Sequence, residues 1–106
     1  MVELTTQLDA VFSSLSDPTR RDILKRVSRC NLTIGELAKP YPMSFAAIAK
    51  HVGVLEKACL ITKHRNGKEQ IISLSPKTIT LATAYLSYYE KVWQERYDRL
   101  ETLLHN

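Results

Sequence analysis

The sequence predicts a mainly helical domain with one small β-hairpin, and three observations support this fold class. Apolar residues at helical spacing predict helices near both ends of the chain, over about 3–15 and 76–104. Two short helical segments separated by a proline-rich break lie between them, over about 33–58. An asparagine-glycine turn joins two β-rich segments over about 60–74. Helix, tight break, helix and hairpin form the layout of a helix-turn-helix followed by a wing.

Length and composition are those of one globular domain, which we predict to span residues 1–106. The chain is 44% hydrophobic and 25% charged, as expected of a folded protein. No apolar run approaches the roughly 20 residues that cross a bilayer, so no membrane association is expected. The polar, acidic start is unlike a signal peptide, and Cys30 and Cys59 form no CxxC pair. These features predict a cytoplasmic protein.

Positive charge is concentrated in the middle of the chain. The net charge is +4, and segments 17–29 and 40–70 each carry an excess of three positive charges. Basic charge gathered in one region indicates a nucleic-acid partner, and scattered solvated charge is the alternative interpretation.

Capping residues predict where the helices of the first half begin. Asp17 suits an N-cap with a proline as first helical residue, and this second helix runs to about Ser28. Thr33, with a glutamate three residues later, is a capping box for a short helix. Two prolines in segment 39–42 end that helix. Residues 30–32 are predicted to be a connector.

The next predicted helix, residues 44–58, has an unusual outer face. Ser44 suits its N-cap, and one apolar face is formed by Ile48, Val52, Leu55 and Cys59. Mostly small residues and one lysine are left to face outward, namely Phe45, Ala46, Ala47, Ala49, Lys50 and Gly53. Such a face suits close approach to another surface.

A basic hairpin follows this helix. Segments 60–64 and 70–74 read as strands on either side of the turn at Asn66 and Gly67. Basic side chains surround the turn, namely Lys63, His64, Arg65 and Lys68. A helix that enters a groove, beside a charged wing that follows phosphates, indicates binding to double-stranded DNA.

The last predicted helix is too long for a core of this size to cover. Over residues 76–104 it would be about 40 Å long, and it carries most of the aromatic residues. Aromatic residues are enriched at interfaces, so we predict that it pairs with the first helix in a homodimer. The alternative is a helix that folds back on its own core. The predicted interface residues are Leu8, Phe12, Leu86, Tyr89, Trp93 and Leu100.

Three segments carry recognisable signatures: LSDPTRRDIL at residues 15–24, the helix pattern at 43–61, and RNGK at 65–68. Together they resemble the ArsR family of winged helix-turn-helix transcription regulators, in the branch without metal-binding motifs. The resemblance covers essentially the whole chain. It implies a cytoplasmic homodimer with a long C-terminal dimerisation helix. It also implies that the dimer binds an inverted-repeat operator in double-stranded DNA and usually represses.

Residue roles follow from the resemblance. The start of the recognition helix would lie nearest the base edges. Lys50 and His51 would reach phosphate one turn later, or a base in the case of Lys50. For His51, a structural role is an equally favoured alternative. Thr33 would bond a phosphate or only cap its helix, and capping is favoured. Arg20 would be a structural ion-pair partner. The wing would contact the DNA backbone or minor groove. The implied contact set is Thr33, Ser44, Phe45, Ala46, Ala47, Lys50, His51, Lys63, Arg65, Asn66 and Lys68.

Three positions depart from the family pattern. The family often has glutamine where this chain has Phe45 and serine where it has Ala49. Phe45 can touch a thymine methyl but cannot make the hydrogen bonds of a glutamine, so the operator of relatives does not transfer. The family tends to place glycine where this chain has Cys59, and a cysteine there requires a different cap or a strained backbone.

No metal and no cofactor are predicted. The helix at 33–39 lacks the thiols of metal-sensing members. On the last helix one face groups Asp98, Glu101 and His105, but zinc requires four ligands with nitrogen or sulfur among them, so a site there is disfavoured.

Three other classes of function were weighed against DNA binding. An enzyme is disfavoured, since the chain has no nucleophile elbow and no phosphate-binding glycine loop. A winged-helix module for protein–protein contact shares the core but needs no basic wing. Single-stranded or RNA binding is the third, and it is disfavoured because the aromatic residues lie on the last helix rather than on a sheet or platform. Within the DNA-binding interpretation, a ligand- or redox-responsive regulator using Cys30 or Cys59 is a further alternative, although unreactive buried thiols are favoured. The operator, the sign of regulation and any inducer are left open.

Overall fold

The computed structural model describes residues 2–105, with side chains from Leu4 onward. The two terminal residues of the predicted domain, Met1 and Asn106, lie outside the described residues. The described part contains five helices: α1 (Val2–Ser14), α2 (Pro18–Arg29), α3 (Ile34–Ala38), α4 (Phe45–Lys57) and α5 (Pro76–His105). It contains three strands: β1 (Leu32–Thr33), β2 (Ile61–Asn66) and β3 (Glu69–Leu74). The predicted fold class, a mainly helical winged helix-turn-helix with a long last helix, is confirmed.

Side-chain caps begin α2, α3 and α4, as the sequence predicts. Asp17 accepts a hydrogen bond from the backbone N–H of Arg20 at 3.0 Å, and that bond lowers the pKa of the Asp17 carboxyl. Thr33 and Glu36 form both bonds of the capping box, and the backbone N–H of Thr33 lowers the pKa of Glu36. Ser44 accepts from the backbone N–H of Ala47 at 3.1 Å. Each cap satisfies an N–H group that has no partner within its own helix.

The sheet has three antiparallel strands in the order β1-β3-β2. The hairpin pairs Asn66 with Glu69 across a turn in which Gly67 has a φ of 67°, a region that glycine enters without steric cost. β1 corrects the predicted connector, because Leu32 pairs with Ile72. A strand of two residues has no alternation to detect. It exists because the edge of β3, which is distant in sequence, is available for pairing.

The core lies where α2, α3 and α4 meet the sheet. It includes Ile23, Leu37, Ile48 and Leu55, which are fully buried, with Ile61 from β2. Only the first turns of α5 reach this core, through Thr78, Ile79 and Ala82. Every residue from 83 to 105 is exposed, and the molecule measures 66 × 32 × 20 Å. The part of the domain formed by α1–α4 and the sheet, here called the head, therefore leaves most of α5 uncovered.

Cys59 follows the last turn of α4 in an unfavourable backbone conformation. Its φ is 63°, its N–H donates to the carbonyl of Glu56, and the N–H of Leu60 donates to that of Leu55. This pair of bonds is the Schellman motif, whose left-handed position normally holds glycine. The expectation of a strained backbone is confirmed. The assignment of Cys59 to the apolar face of the helix is wrong, because the left-handed turn directs its side chain to solvent.

Replacing Cys59 with glycine removes the Cβ that opposes the left-handed backbone. We expect the free energy of unfolding to rise by about 1 kcal/mol, since relief of the strain outweighs the added flexibility of the unfolded chain. Urea unfolding measures the change. Cys59→Ala is the matched control, because it removes the thiol but keeps the Cβ. Equal stability of the glycine and alanine variants would show that strain at this position is absent.

Candidate DNA-binding interface

The outer face of α4 is open and basic. Its inner face is set by the buried residues Ile48, Val52 and Leu55. The opposite face, at spacings of four, three and four residues, carries Ala46, Lys50, Gly53 and Lys57. Sequence reasoning missed Lys57, although its spacing of seven residues from Lys50 was a usable signal. A basic stripe on the face turned away from the core is suited to approach a polyanion.

Gly53 leaves a gap in the side chains of this outer face, and the packing of the domain does not require a glycine there. A Cβ built at this position meets no atom within 4 Å. A glycine inside a helix costs about 1 kcal/mol relative to alanine. Within the described chain, no neighbouring atom requires a glycine at this position. The absence of a side chain at Gly53 leaves the backbone between Lys50 and Lys57 open to close approach by another molecule.

The start of α4 and the wing enclose a common cleft of about 410 Å³. Phe45 and Gln70 face it from the two sides, and Lys68 lies at its wing end. Thr33 also lines it, with its hydroxyl oxygen occupied by the N–H of Glu36, as the capping alternative requires. The structure thus brings Phe45 of the helix start and Lys68 of the wing to one cleft, whereas the other predicted residues of these two segments are not among its lining residues.

The wing residues differ in how free their charges are. Arg65, Asn66 and Lys68 are exposed around the turn. Lys63, which was grouped with them, is half-buried beside α4, and its Nζ lies 3.4 Å from Oε1 of Glu56. That ion pair directs the ammonium group of Lys63 toward α4. The tip of the wing therefore offers Arg65 and Lys68 as its main cationic groups.

His51 lies behind the recognition surface, against Arg20. Nη1 of Arg20 is 3.3 Å from Nδ1 of His51. Since a guanidinium only donates, Nδ1 accepts and the ring proton is assigned to Nε2. The Asp17 carboxylate is 3.9 Å from the same nitrogen, too far for a hydrogen bond. This geometry favours the structural alternative for His51 over the phosphate contact.

Arg20 also holds the end of α1. Its Nε donates to the carbonyl of Ser14 at 2.6 Å, and its Nη2 donates to that of Ser13 at 3.5 Å. The carbonyl of Ser13 also accepts from the N–H and the hydroxyl of Ser16, so the shorter bond to Ser14 is the more important of the two. Arg20 is therefore structural, as expected, but through hydrogen bonds to carbonyls and to His51 rather than as the predicted ion-pair partner.

A second arginine positions the short helix of the helix-turn-helix. Arg26 on α2 donates to the carbonyls of Leu37 at 2.9 Å and Glu36 at 3.0 Å, and its guanidinium lies 5.5 Å from the ring centre of Tyr41. The hydroxyl of Tyr41 donates to Asp22, and partial burial raises the pKa of this tyrosine. The break after α3 is thereby fixed against α2, which sets where α4 begins.

An apolar surface, interrupted by Arg96 and Arg99, runs along α5. Trp93 is 62% exposed and Leu100 is 55% exposed. Phe12 of α1 joins this surface, with its ring centre 5.8 Å from that of Tyr85. Tyr85 lies 5.3 Å from Tyr89, and their hydroxyl contact raises the pKa of Tyr89. Of the predicted interface residues, Phe12, Leu86, Tyr89, Trp93 and Leu100 are exposed, whereas Leu8 is buried in its own chain.

Metal ligands and thiols are arranged as follows. Among residues 2–105, no group of three or more His, Cys, Asp or Glu side chains is placed to hold a metal ion. Cys30 and Cys59 are both free and exposed, so the expectation of buried thiols is wrong. Within the same described range, no helix has the length and apolar character to span a membrane.

Comparison with known proteins gives a consistent class. No family model matches the chain. The chain is 35% identical over 68 residues to the transcriptional repressor SdpR of Bacillus subtilis (strain 168), covering 64% of this chain and 76% of SdpR. A crystal structure of an ArsR family transcriptional regulator superposes with a TM-score of 0.78 at 34% identity, covering 85% of this chain and 93% of that one.

A third comparison concerns the fold alone. A homodimeric winged helix-turn-helix DNA-binding domain from Mycobacterium bovis superposes with a TM-score of 0.69 at 16% identity. The superposed region covers 85% of this chain and 84% of the Mycobacterium bovis domain.

Replacing Arg20 with alanine removes the donors to two helix-terminal carbonyls and to His51. We expect the free energy of unfolding to fall by about 2 kcal/mol, because hydrogen bonds from charged donors are strong and the carbonyl of Ser14 loses the bond from Nε. Chemical denaturation gives the value. Arg21→Ala is the matched control, since Arg21 is exposed and donates to the carbonyl of Leu15 alone. Equal losses for the two variants would contradict a special role for Arg20.

Proposed function

The chain belongs to the ArsR family of winged helix-turn-helix transcriptional regulators, and from that premise we propose that two copies bind an inverted-repeat operator and repress transcription. The relatives are transcription regulators and not enzymes. The observation that carries the proposal is the cleft shared by the start of α4 and the wing, with lysines on the adjoining outer face. Residues 1–106 would act as one domain. Acting on the chromosome, it would work in the cytoplasm.

The DNA-binding surface is proposed to divide into two parts. The first turn of α4, from Ser44 to Ala47, would face base edges in the major groove, because a recognition helix enters the groove by its N-terminal residues. Lys50 and Lys57 would meet phosphates along the groove, and Gly53 would allow the backbone between them to come close. Arg65 and Lys68, at the tip of the wing, would contact phosphates outside the groove or in the minor groove.

The dimer is supported by the surface that α5 leaves uncovered. Large apolar side chains continue along one side of the helix from Tyr85 to Leu104, beyond the reach of the core. A monomeric soluble protein rarely exposes an apolar patch of this extent. We propose that α5 and the Phe12 side of α1 pack against the same elements of a second copy. The two recognition helices would then enter successive major grooves about 34–36 Å apart.

The combined substitution Arg65→Ala and Lys68→Ala tests the wing. Two charges lost from each subunit remove four phosphate contacts per dimer, so the slope of log Kd against log salt should flatten by about 3.6. Affinity should fall on specific and random DNA alike. Fluorescence anisotropy across a salt series measures both.

The matched control is Lys77→Ala with Lys91→Ala, which removes the same charge from exposed positions on α5. It should leave the slope unchanged. A control that flattens the slope as much as the wing variant would mean that overall charge, and not contact by the wing, governs binding. A third variant, Lys63→Ala, should have the smaller effect of a lysine already paired with Glu56.

Trp93→Glu tests the dimer surface. A charge inside an apolar interface has no partner and loses its hydration, so the variant should sediment as a monomer where the parent chain sediments as a dimer. Ser87→Glu is the control, because Ser87 lies on the polar side of the same helix and should leave the dimer intact. A Trp93 variant that remains dimeric would rule out this surface.

A further inference from the structure

The first turn of the recognition helix presents carbon rather than hydrogen-bonding groups. Phe45, the first residue of α4, is 59% exposed. Ala46 is exposed beside it, and Ala49 follows Phe45 by one helical turn and is partly exposed. A large exposed aromatic ring at the edge of a basic surface has no role in the core of this domain.

The two hydroxyl groups beside the start of α4 are already engaged as helix caps. The hydroxyl oxygen of Ser44 accepts from the N–H of Ala47 at 3.1 Å, and that of Thr33 accepts from the N–H of Glu36 at 3.1 Å. Lys50 lies more than a turn further along α4. A base edge opposite Phe45 therefore meets an apolar surface on α4. The amide side chain that lines the same cleft, Gln70, belongs to strand β3 of the wing.

Only one group on the floor of the major groove matches such a surface. The four base pairs present acceptors, amino donors and, on thymine alone, a C5-methyl group. We propose that Phe45, with Ala46 and Ala49, selects operator half-sites by contact with a thymine methyl. This inference rests on the proposed function, since it assumes that α4 enters the major groove.

The cleft adds a positional consequence. Phe45 and Lys68 line the same cleft, so the base beside the ring and the phosphate beside the wing belong to one half-site. In a symmetric dimer each half-site supplies one such thymine. Specificity then comes from two methyl contacts placed symmetrically about the centre of the operator, while the wing supplies affinity that is independent of sequence.

The experiment removes single methyl groups from the DNA. Duplexes bound by the full chain are selected from a random pool, and the selected site is remade with uracil in place of each thymine in turn. Uracil keeps every hydrogen-bonding group of thymine and lacks only the methyl. Dissociation constants are measured by fluorescence anisotropy at one salt concentration, for the parent chain and for Phe45→Ala. Thermal melting confirms that the exposed substitution leaves the fold intact.

We expect one thymine in each half-site at which uracil weakens binding of the parent chain about fourfold, the value of one buried methyl group. Substitution in both half-sites together should weaken it about fifteenfold. Phe45→Ala should bind the thymine duplex more weakly and should no longer distinguish uracil from thymine at that position. Phe45→Leu, which keeps an apolar side chain, should retain part of the discrimination.

Two results overturn the inference and one overturns its premise. If every uracil duplex binds the parent chain as tightly as the thymine duplex, no methyl is read. If Phe45→Ala still distinguishes uracil from thymine, another residue reads it. If selection recovers no preferred sequence at all, the proposed function fails first, and the inference fails with it.

Discussion

The guanidinium of Arg20 is the contact on which the geometry of this domain depends. It holds the last carbonyls of α1 and, through His51, the recognition helix. Its own position is set at the start of α2, where Asp17 caps the helix. One side chain thus connects the helix proposed to join two copies with the helix proposed to read DNA. The relative orientation of α1 and α4 is therefore fixed by directional hydrogen bonds as well as by apolar packing.

A second constraint is the imbalance between the small core and the long last helix. Ile79 and Ala82 are the last residues of α5 that pack on the head, and the tyrosines, Trp93 and leucines beyond them meet solvent. Burial of apolar area is the main favourable term in folding and association, so this surface has most to gain from a second copy. The operator symmetry proposed above is a consequence of this exposed helix, since a two-fold pair presents its recognition helices two-fold.

What the sequence could predict was determined by local chemistry. Asp17, Thr33 and Ser44 each cap a helix through atoms three residues away, and Gly67 supplies the positive φ of its turn, so neighbouring residues suffice to predict them. The fold class followed from these signals together with the apolar periodicity. For the surface proposed to face DNA, helical spacing alone indicated most of the outer residues of α4.

Features that depend on tertiary placement escaped the sequence. Leu32 becomes a strand only because β3 lies beside it. Lys63 resembles any other wing cation until the fold brings Glu56 within 3.4 Å. Leu8 has the spacing of an interface residue, yet its own core buries it. In each case the deciding partner is distant in sequence or on another element, and no single-segment pattern records it.

The most direct test of the account is a hydroxyl-radical footprint of the full chain on a site selected from random DNA, combined with the stoichiometry of the complex. A two-fold dimer that binds through α4 should protect two segments on one face of the duplex, about one helical turn apart and related by two-fold symmetry, with two chains bound per site. A single protected segment with one chain bound would contradict it. So would protection that lacks symmetry, because the recognition helices could not then be held by a two-fold pairing of α5.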